Sequence, residues 1–216
     1  MSDPIALVIG NRNYSSWSVR AWLAMKHSGL AFEEIFIQLN LPDSKSAIAK
    51  HSPSGLVPVL KVGDTIIWES LAIIETLAEM APNESFWPKS FAARVMARSI
   101  SAQMHAGFFR LRRDMPMDLR SNLSGQNHTE GALGDAAKIT TLWTTCRERF
   151  GDTGPYLFGD WSAADMMYAP VVGRLRTFGV STNDICESYM DAVLAHPDMA
   201  AWMAGAKAEP YLISNP

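Results

Sequence analysis

Three short segments hold the residue types from which chemistry could be built. Asn13-Tyr14-Ser15-Ser16-Trp17-Ser18 places three hydroxyls between an apolar run at residues 5–10 and a helical pattern that begins near Ser16. A loop at the carboxyl end of a strand that opens a helix is a favoured ligand site, because the helix N-terminus presents unpaired N–H groups and partial positive charge. One of these serines could equally do no more than cap the helix. Ser52-Pro53-Ser54-Gly55-Leu56-Val57-Pro58-Val59-Leu60 sets a proline at the opening of a strand. In trans, Pro58 would be an ordinary edge residue. In cis, it would turn the Val57 backbone outward, where its N–H and C=O could pair with a peptide ligand as an added strand does. Glu69-Ser70 stands at a strand-to-helix junction. Glu69 can accept from an ammonium group while Ser70 and the helix N-terminus donate to a carboxylate, a pairing suited to an α-amino acid head group. A plain N-cap with an acidic neighbour would look the same. Each segment is weak alone; together they converge.

The elements that must position these segments can be read from periodicity. Residues 5–10 (IALVIG) form a buried-strand pattern, and Val19, Trp22 and Leu23 recur at helical spacing from Ser16 to about Ser28. A strand at 32–37 and a short helix from Ser44 to about His51 follow. Two strand-like runs, 58–62 and 65–68, are separated only by Gly63-Asp64, which suits a type II′ hairpin. Ser70 then stands as the expected N-cap of a helix carrying Leu71, Ile74, Leu77, Ala78 and Ala81. The order to residue 81 is therefore β-α-β-α-β-β-α. Pro82 and Pro88 bracket a break, so the chain is expected to divide into residues 1–82 and 88–216 with a linker at 83–87. Beyond the break no strand pattern is found. A long helix is expected over 88–121 and a polar loop over 124–135, with helices at 136–150, 162–178, 184–195 and 198–208.

With 216 residues, 48% apolar and 19% charged, the chain is long enough for two packed units and unlike a disordered one. A net charge of −3, shared between two mildly acidic halves, argues against nucleic acid or an anionic membrane as partner. No apolar stretch has the length of a membrane span, and the start Met1-Ser2-Asp3-Pro4 lacks the pattern of a signal peptide. Cys146 and Cys186 stand in no metal-ligand spacing and read as two buried free thiols, so a cytoplasmic protein without a metal site is expected.

The three segments resemble the cytosolic glutathione-transferase family, in its serine-type, zeta-like bacterial form. Ser15-Ser16-Trp17-Ser18-Val19-Arg20 is similar to the family's serine motif, Ser54 to Leu60 to the segment carrying its cis-proline, and Glu69-Ser70-Leu71-Ala72-Ile73 to the element that holds the γ-glutamyl group. In the helical half, Gly159-Asp160-Trp161-Ser162-Ala163-Ala164-Asp165 is similar to its folding motif, with Ser162 as N-cap and Asp165 at N3. The resemblance implies an α/β thioredoxin-like N-terminal domain, an all-α C-terminal domain, glutathione as co-substrate, a small electrophilic second substrate and a homodimer.

It also implies roles. Ser15 matches the catalytic position, with Ser16 beside it. His51, Val57, Pro58, Glu69 and Ser70 would bind glutathione. Trp17, where the zeta pattern has a cysteine, would wall the second-substrate pocket, and its lack of thiol chemistry argues against maleylacetoacetate isomerase activity. Apart from the resemblance, Arg174 and Arg176 follow Tyr168-Ala169-Pro170 on a helix that would border that pocket, where one could pair with an acidic co-substrate or else serve a structural ion pair. The arginines between Arg94 and Arg120 read as a solvated face or dimer contacts, and His105 as a packed or interface histidine. The implied activity is thiolate attack on small electrophiles, the alternatives being a glutathione-dependent isomerase or peroxidase, or a non-catalytic binding protein.

Overall fold

In the computed structural model, residues 3–211 are described; residues 1–2 and 212–216, at the outer ends of the two expected domains, lie outside them. The four strands found there are β1 (Ile5–Ile9), β2 (Glu33–Phe36), β3 (Val59–Val62) and β4 (Thr65–Trp68), in the sheet order β2-β1-β3-β4. β1 and β2 run parallel, which requires a crossover, and α1 (Ser16–His27) supplies it. β3 pairs antiparallel with β1 and with β4. Gly63 takes φ +56 in the two-residue β3–β4 turn, a conformation that glycine reaches without a Cβ penalty.

Alternation along the strands sorts the sheet into two faces. Leu7, Ile9 and Leu60 join the main core with α1 and with α3 (Ser70–Met80). Val8 and Val59 face the other way, into a small cluster with Ile37 and with Ile48 of α2 (Ser44–Ala49). This is the thioredoxin-like arrangement, followed by a helical region. One boundary differs by a residue: Glu69, not Ser70, is the N-cap of α3, at φ +68.

The helical region consists of α4 (Phe91–Ala106), α5 (Phe109–Asp114), α6 (Glu130–Phe150), α7 (Ala163–Phe178), α8 (Asp184–Ala195) and α9 (Pro197–Ala208). The single helix expected over 88–121 is two. Gly107 leaves helical geometry and Phe108 takes a left-handed turn at φ +57, so the chain changes direction between α4 and α5. The loop expected to reach residue 135 ends earlier, because Thr129 accepts from the Ala132 N–H and starts α6 at Glu130. α7 is buried on nearly every side and packs against α1, α4 and α8, joining the helical region to the sheet. Its start is built as the motif suggested: Asp165 accepts from the Ser162 N–H and Oγ, both at 2.9 Å, and from the Leu157 N–H at 3.1 Å. Trp161 stacks on His196 at 4.0 Å. Among the described residues no helix is long and apolar enough to cross a membrane.

Candidate active site

A cleft of about 390 Å³ opens between the sheet edge and the helical region. Its sheet side is formed by Ser54, Leu56, Val57, Pro58, Glu69 and Ser70, and its helical side by His105, Ala106, Phe109 and Arg112, with Trp17 of α1 between them. Two of the three chemistry-bearing segments thus meet in one cavity, and the third reaches it through Trp17. The Val57-Pro58 bond is cis. Ser70 is buried as the first residue of α3, and its Oγ has no hydrogen-bond partner. It therefore stands with an open donor beside unpaired helix N–H groups, a combination that receives a carboxylate.

Ser15 and Ser16 are buried and are not among the residues that line the cleft, although the adjacent Trp17 is. Ser15 caps α1: its Oγ accepts from the Ser18 N–H at 3.4 Å and donates to Ser18 Oγ at 2.7 Å. Ser18 Oγ in turn accepts from the Gly10 N–H, tying the loop to β1. Ser16 opens the helix, and its Oγ accepts from Arg174 Nη2 at 3.2 Å. The expected place of Arg174 at the pocket border is corrected. Its side chain is enclosed, donating to the Met115 carbonyl at 2.8 Å as well as to Ser16, because α7 runs through the interior. His51 is half-buried and is not among the residues lining the cleft.

His105 and Arg112, read as packed or solvated, line the cleft instead. His105 Nε2 lies 3.4 Å from a Glu69 carboxylate oxygen, and its ring meets Trp17 edge-on at 5.3 Å. Burial pushes its pKa down, against the raising effect of Glu69. The Arg112 guanidinium sits over Phe109 at 4.6 Å and over Trp17 at 5.3 Å, and burial lowers its pKa. Arg20 lies 4.3 Å from the Trp17 ring centroid, fully buried, with Nε on the Met167 carbonyl and both Nη atoms without a hydrogen-bond partner. Burial and the neighbouring Arg174 and Arg112 hold its pKa well below the usual arginine range. The bend at Gly107-Phe108 is what carries Phe109 and Arg112 to the cleft. The i, i+4 step from His105 to Phe109 was the one hint of it in the sequence.

The serine loop is clamped from the far end of the chain. Glu209 accepts from the Arg12 N–H at 2.6 Å and from the Asn13 N–H at 3.3 Å. Arg120 donates to the Glu209 carbonyl at 2.6 Å and to the Tyr14 hydroxyl at 3.1 Å, while Asn13 Nδ2 donates to Asp118 at 2.7 Å. Trp202 Nε1 donates to the Arg12 carbonyl at 3.0 Å. Among the described residues no group of three or more His, Cys, Asp or Glu side chains could hold a metal ion.

The model of the glutathione S-transferase N-terminal domain matches residues 14–80, which hold the serine loop, the cis-proline and Glu69-Ser70. A maleylacetoacetate isomerase of Rattus norvegicus is 31% identical over 176 residues, spanning 78% of this chain and 77% of the relative. Among solved structures, a glutathione transferase homolog from Burkholderia, with bound glutathione, superposes with a TM-score of 0.73 at 24% identity, covering 95% of this chain and all of that one. A maleyl pyruvate isomerase described as a bacterial zeta-class glutathione S-transferase also gives 0.73, at 21% identity over 95% of this chain and 98% of its own. The likeness to these structures is one of fold. The chain belongs to the glutathione S-transferase family.

Proposed function

We propose that the chain binds glutathione in this cleft and uses its thiolate to attack a small electrophile, forming a carbon–sulfur bond. The observation that carries this reading is the convergence of Val57 beside the cis bond, Glu69 and the open Ser70 hydroxyl on one cavity. Val57 would pair with the peptide backbone, while Glu69 and Ser70 would hold the γ-glutamyl ammonium and carboxylate. A serine of the loop, Ser15 or Ser16, would stabilise the thiolate. A thiol with pKa about 8.5 is only a few per cent ionised at neutral pH, and lowering it by about two units takes roughly 2.7 kcal/mol. One hydroxyl donor to an anion supplies about 1.5–3 kcal/mol and a helix N-terminus about 0.3–1 more.

Trp17 and Phe109 would wall the second-substrate pocket. Arg112, held between their rings at the cleft, favours a second reading for an electrophile that carries a carboxylate. In that case the thiolate adds to a conjugated cis double bond, the new single bond rotates, and the sulfur leaves again with its electron pair, giving the trans isomer. The maleylacetoacetate isomerase relative points the same way.

We further propose a homodimer, supported by exposed Ile66 and Trp68 on β4 and by Phe91 and Val95 on α4. The two unpaired, buried cysteines suit a reducing compartment such as the cytoplasm. Retention on immobilised glutathione tests the whole reading. Ser70→Ala should weaken glutathione binding by about tenfold or more, since a hydrogen bond to a charged group is worth about 1.5–3 kcal/mol. Wild-type protein that ignores glutathione in both retention and calorimetry would end it.

A further inference from the structure

Behind the serine loop the interior holds two guanidinium groups, Arg20 and Arg174, with no negative partner among the described residues. Arg174 is 4% exposed and Arg20 fully buried, and they are grouped with Arg112 about the first turn of α1. Of the buried guanidinium nitrogens, Arg174 Nη1, both Nη atoms of Arg20 and Arg112 Nε have no hydrogen-bond partner. Among the described residues no carboxylate is paired with Arg20 or Arg174, while Asp135 acts on Arg112 from a distance. Glu69 faces His105, Asp118 is taken up by Asn13, Ser121 and the Arg120 N–H, and Asp135 accepts from the Arg110 and Leu111 N–H groups. The other titratable groups against this cluster are His105, whose pKa Arg20 and Arg112 help to lower, and Tyr168, whose hydroxyl donates to the Ile100 carbonyl. An unpaired buried charge is costly, so such a cluster is built to meet an anion.

The two candidate serines differ in how they stand toward it. Ser15 Oγ spends its proton on Ser18, within the cap of α1. Ser16 Oγ accepts from the Arg174 guanidinium, which leaves its own proton free to be given away. A cation donating to a hydroxyl oxygen withdraws electron density and makes that hydroxyl a stronger donor, as chained hydrogen bonds polarise one another in a low-dielectric interior.

We infer that Ser16 is the donor to the glutathione thiolate and that Arg174, which does not touch the thiol, is the positioning residue that orients and polarises it. The inference rests on the glutathione reading above and assigns the charge-stabilising step within it. Arg20, 4.3 Å from the Trp17 ring centroid, adds to the same positive field at the start of α1.

The test is the ultraviolet thiolate band of bound glutathione, titrated with pH in wild type and variants. Glutathione affinity is measured alongside, and the pH profile of kcat/KM is followed with an activated aryl halide. Arg174→Met should raise the bound thiol's midpoint by about one pH unit, which is about tenfold less thiolate below the midpoint, with affinity little changed. Arg174→Lys, which keeps the charge without the planar fork, should recover part of the shift. Ser16→Ala should raise the midpoint at least as far, and adding Arg174→Met to it should move it little further, since one acts through the other. Ser15→Ala should lower the melting temperature through the lost cap while moving the midpoint less than Ser16→Ala.

If Arg174→Met does not fold, the two serine variants decide. A midpoint that follows Ser15 rather than Ser16 overturns the inference, as does an additive Arg174–Ser16 double variant. A wild type that binds glutathione with a lowered thiol midpoint that neither variant moves overturns it while leaving the transferase reading intact. Absence of glutathione binding in the wild type overturns both.

Discussion

Asp165 offers the sharpest test of how the helical region is held. Asp165→Ala removes the acceptor from three donors in a fully buried site: the Leu157 and Ser162 N–H groups and the Ser162 hydroxyl. The hydroxyl can turn to another acceptor, but the two backbone groups cannot. At about 1–3 kcal/mol for each orphaned group, the loss is about 4 kcal/mol, a large part of a domain's total stability. For a chain of this length that corresponds to a fall in Tm of roughly 8–16 °C.

The pH dependence carries a sign. Burial pushes the Asp165 carboxyl up to about 6 from an ordinary 3.8, outweighing the hydrogen bonds that pull it down. A folded pKa above the unfolded one means that folding takes up a proton. The contribution is therefore fully present below about pH 4 and is lost as pH rises to about 6. Between about pH 5 and pH 7.5 the wild type should lose on the order of 1.4 kcal/mol that Asp165→Ala does not. The gap between the two proteins in calorimetric melts should accordingly be wider at the lower pH. A gap that widens with rising pH would refute the reasoning, because the three donors would then be winning over burial. A Tm difference of only a degree or two would refute the claim that this carboxylate anchors α7.

Arg112→Leu should raise KM for a carboxylate-bearing second substrate by about tenfold or more and leave KM for a neutral one within about twofold, read from parallel steady-state assays. Glu69→Gln should weaken glutathione binding by at least about tenfold through the lost ammonium contact; equal affinity in titration calorimetry would remove Glu69 from the site. Cys146 is fully buried with its thiol pushed up to about 12, chiefly by that burial, and Cys186 is buried and raised as well. Native protein should therefore resist alkylation at neutral pH, with both thiols appearing only on unfolding; fast labelling of either would contradict the packing.

What could be read in advance was whatever local chemistry decides. The hairpin at Gly63-Asp64 needs one residue of positive φ, and the α7 start needs a serine and an aspartate three apart, so both are written in a few adjacent positions. The start of α3 was misplaced by one residue because Ser70 is the usual cap type while Glu69, in the left-handed region, takes the cap position. The helical wall of the cleft was hidden for a different reason. Arg112 is one of several arginines with the same neighbours in sequence, and only the turn at Gly107-Phe108 sends it inward while Arg110 and Arg113 stay at the surface. Arg174 shows the limit of charge as a guide: its burial follows from α7 being surrounded by other helices, which no local pattern of α7 records.

The hydrogen bonds from Arg12 and Asn13 to Glu209 also set an order of events in biosynthesis. The partners of the shorter bond are 197 residues apart, so the loop emerges from the ribosome long before the residue that secures it. At about 5–20 residues per second the interval is roughly 10–40 s. During that time the sheet can form while the loop above α1 lacks its clamp. For that interval the nascent chain is a folded scaffold whose serine loop still lacks the Glu209 clamp.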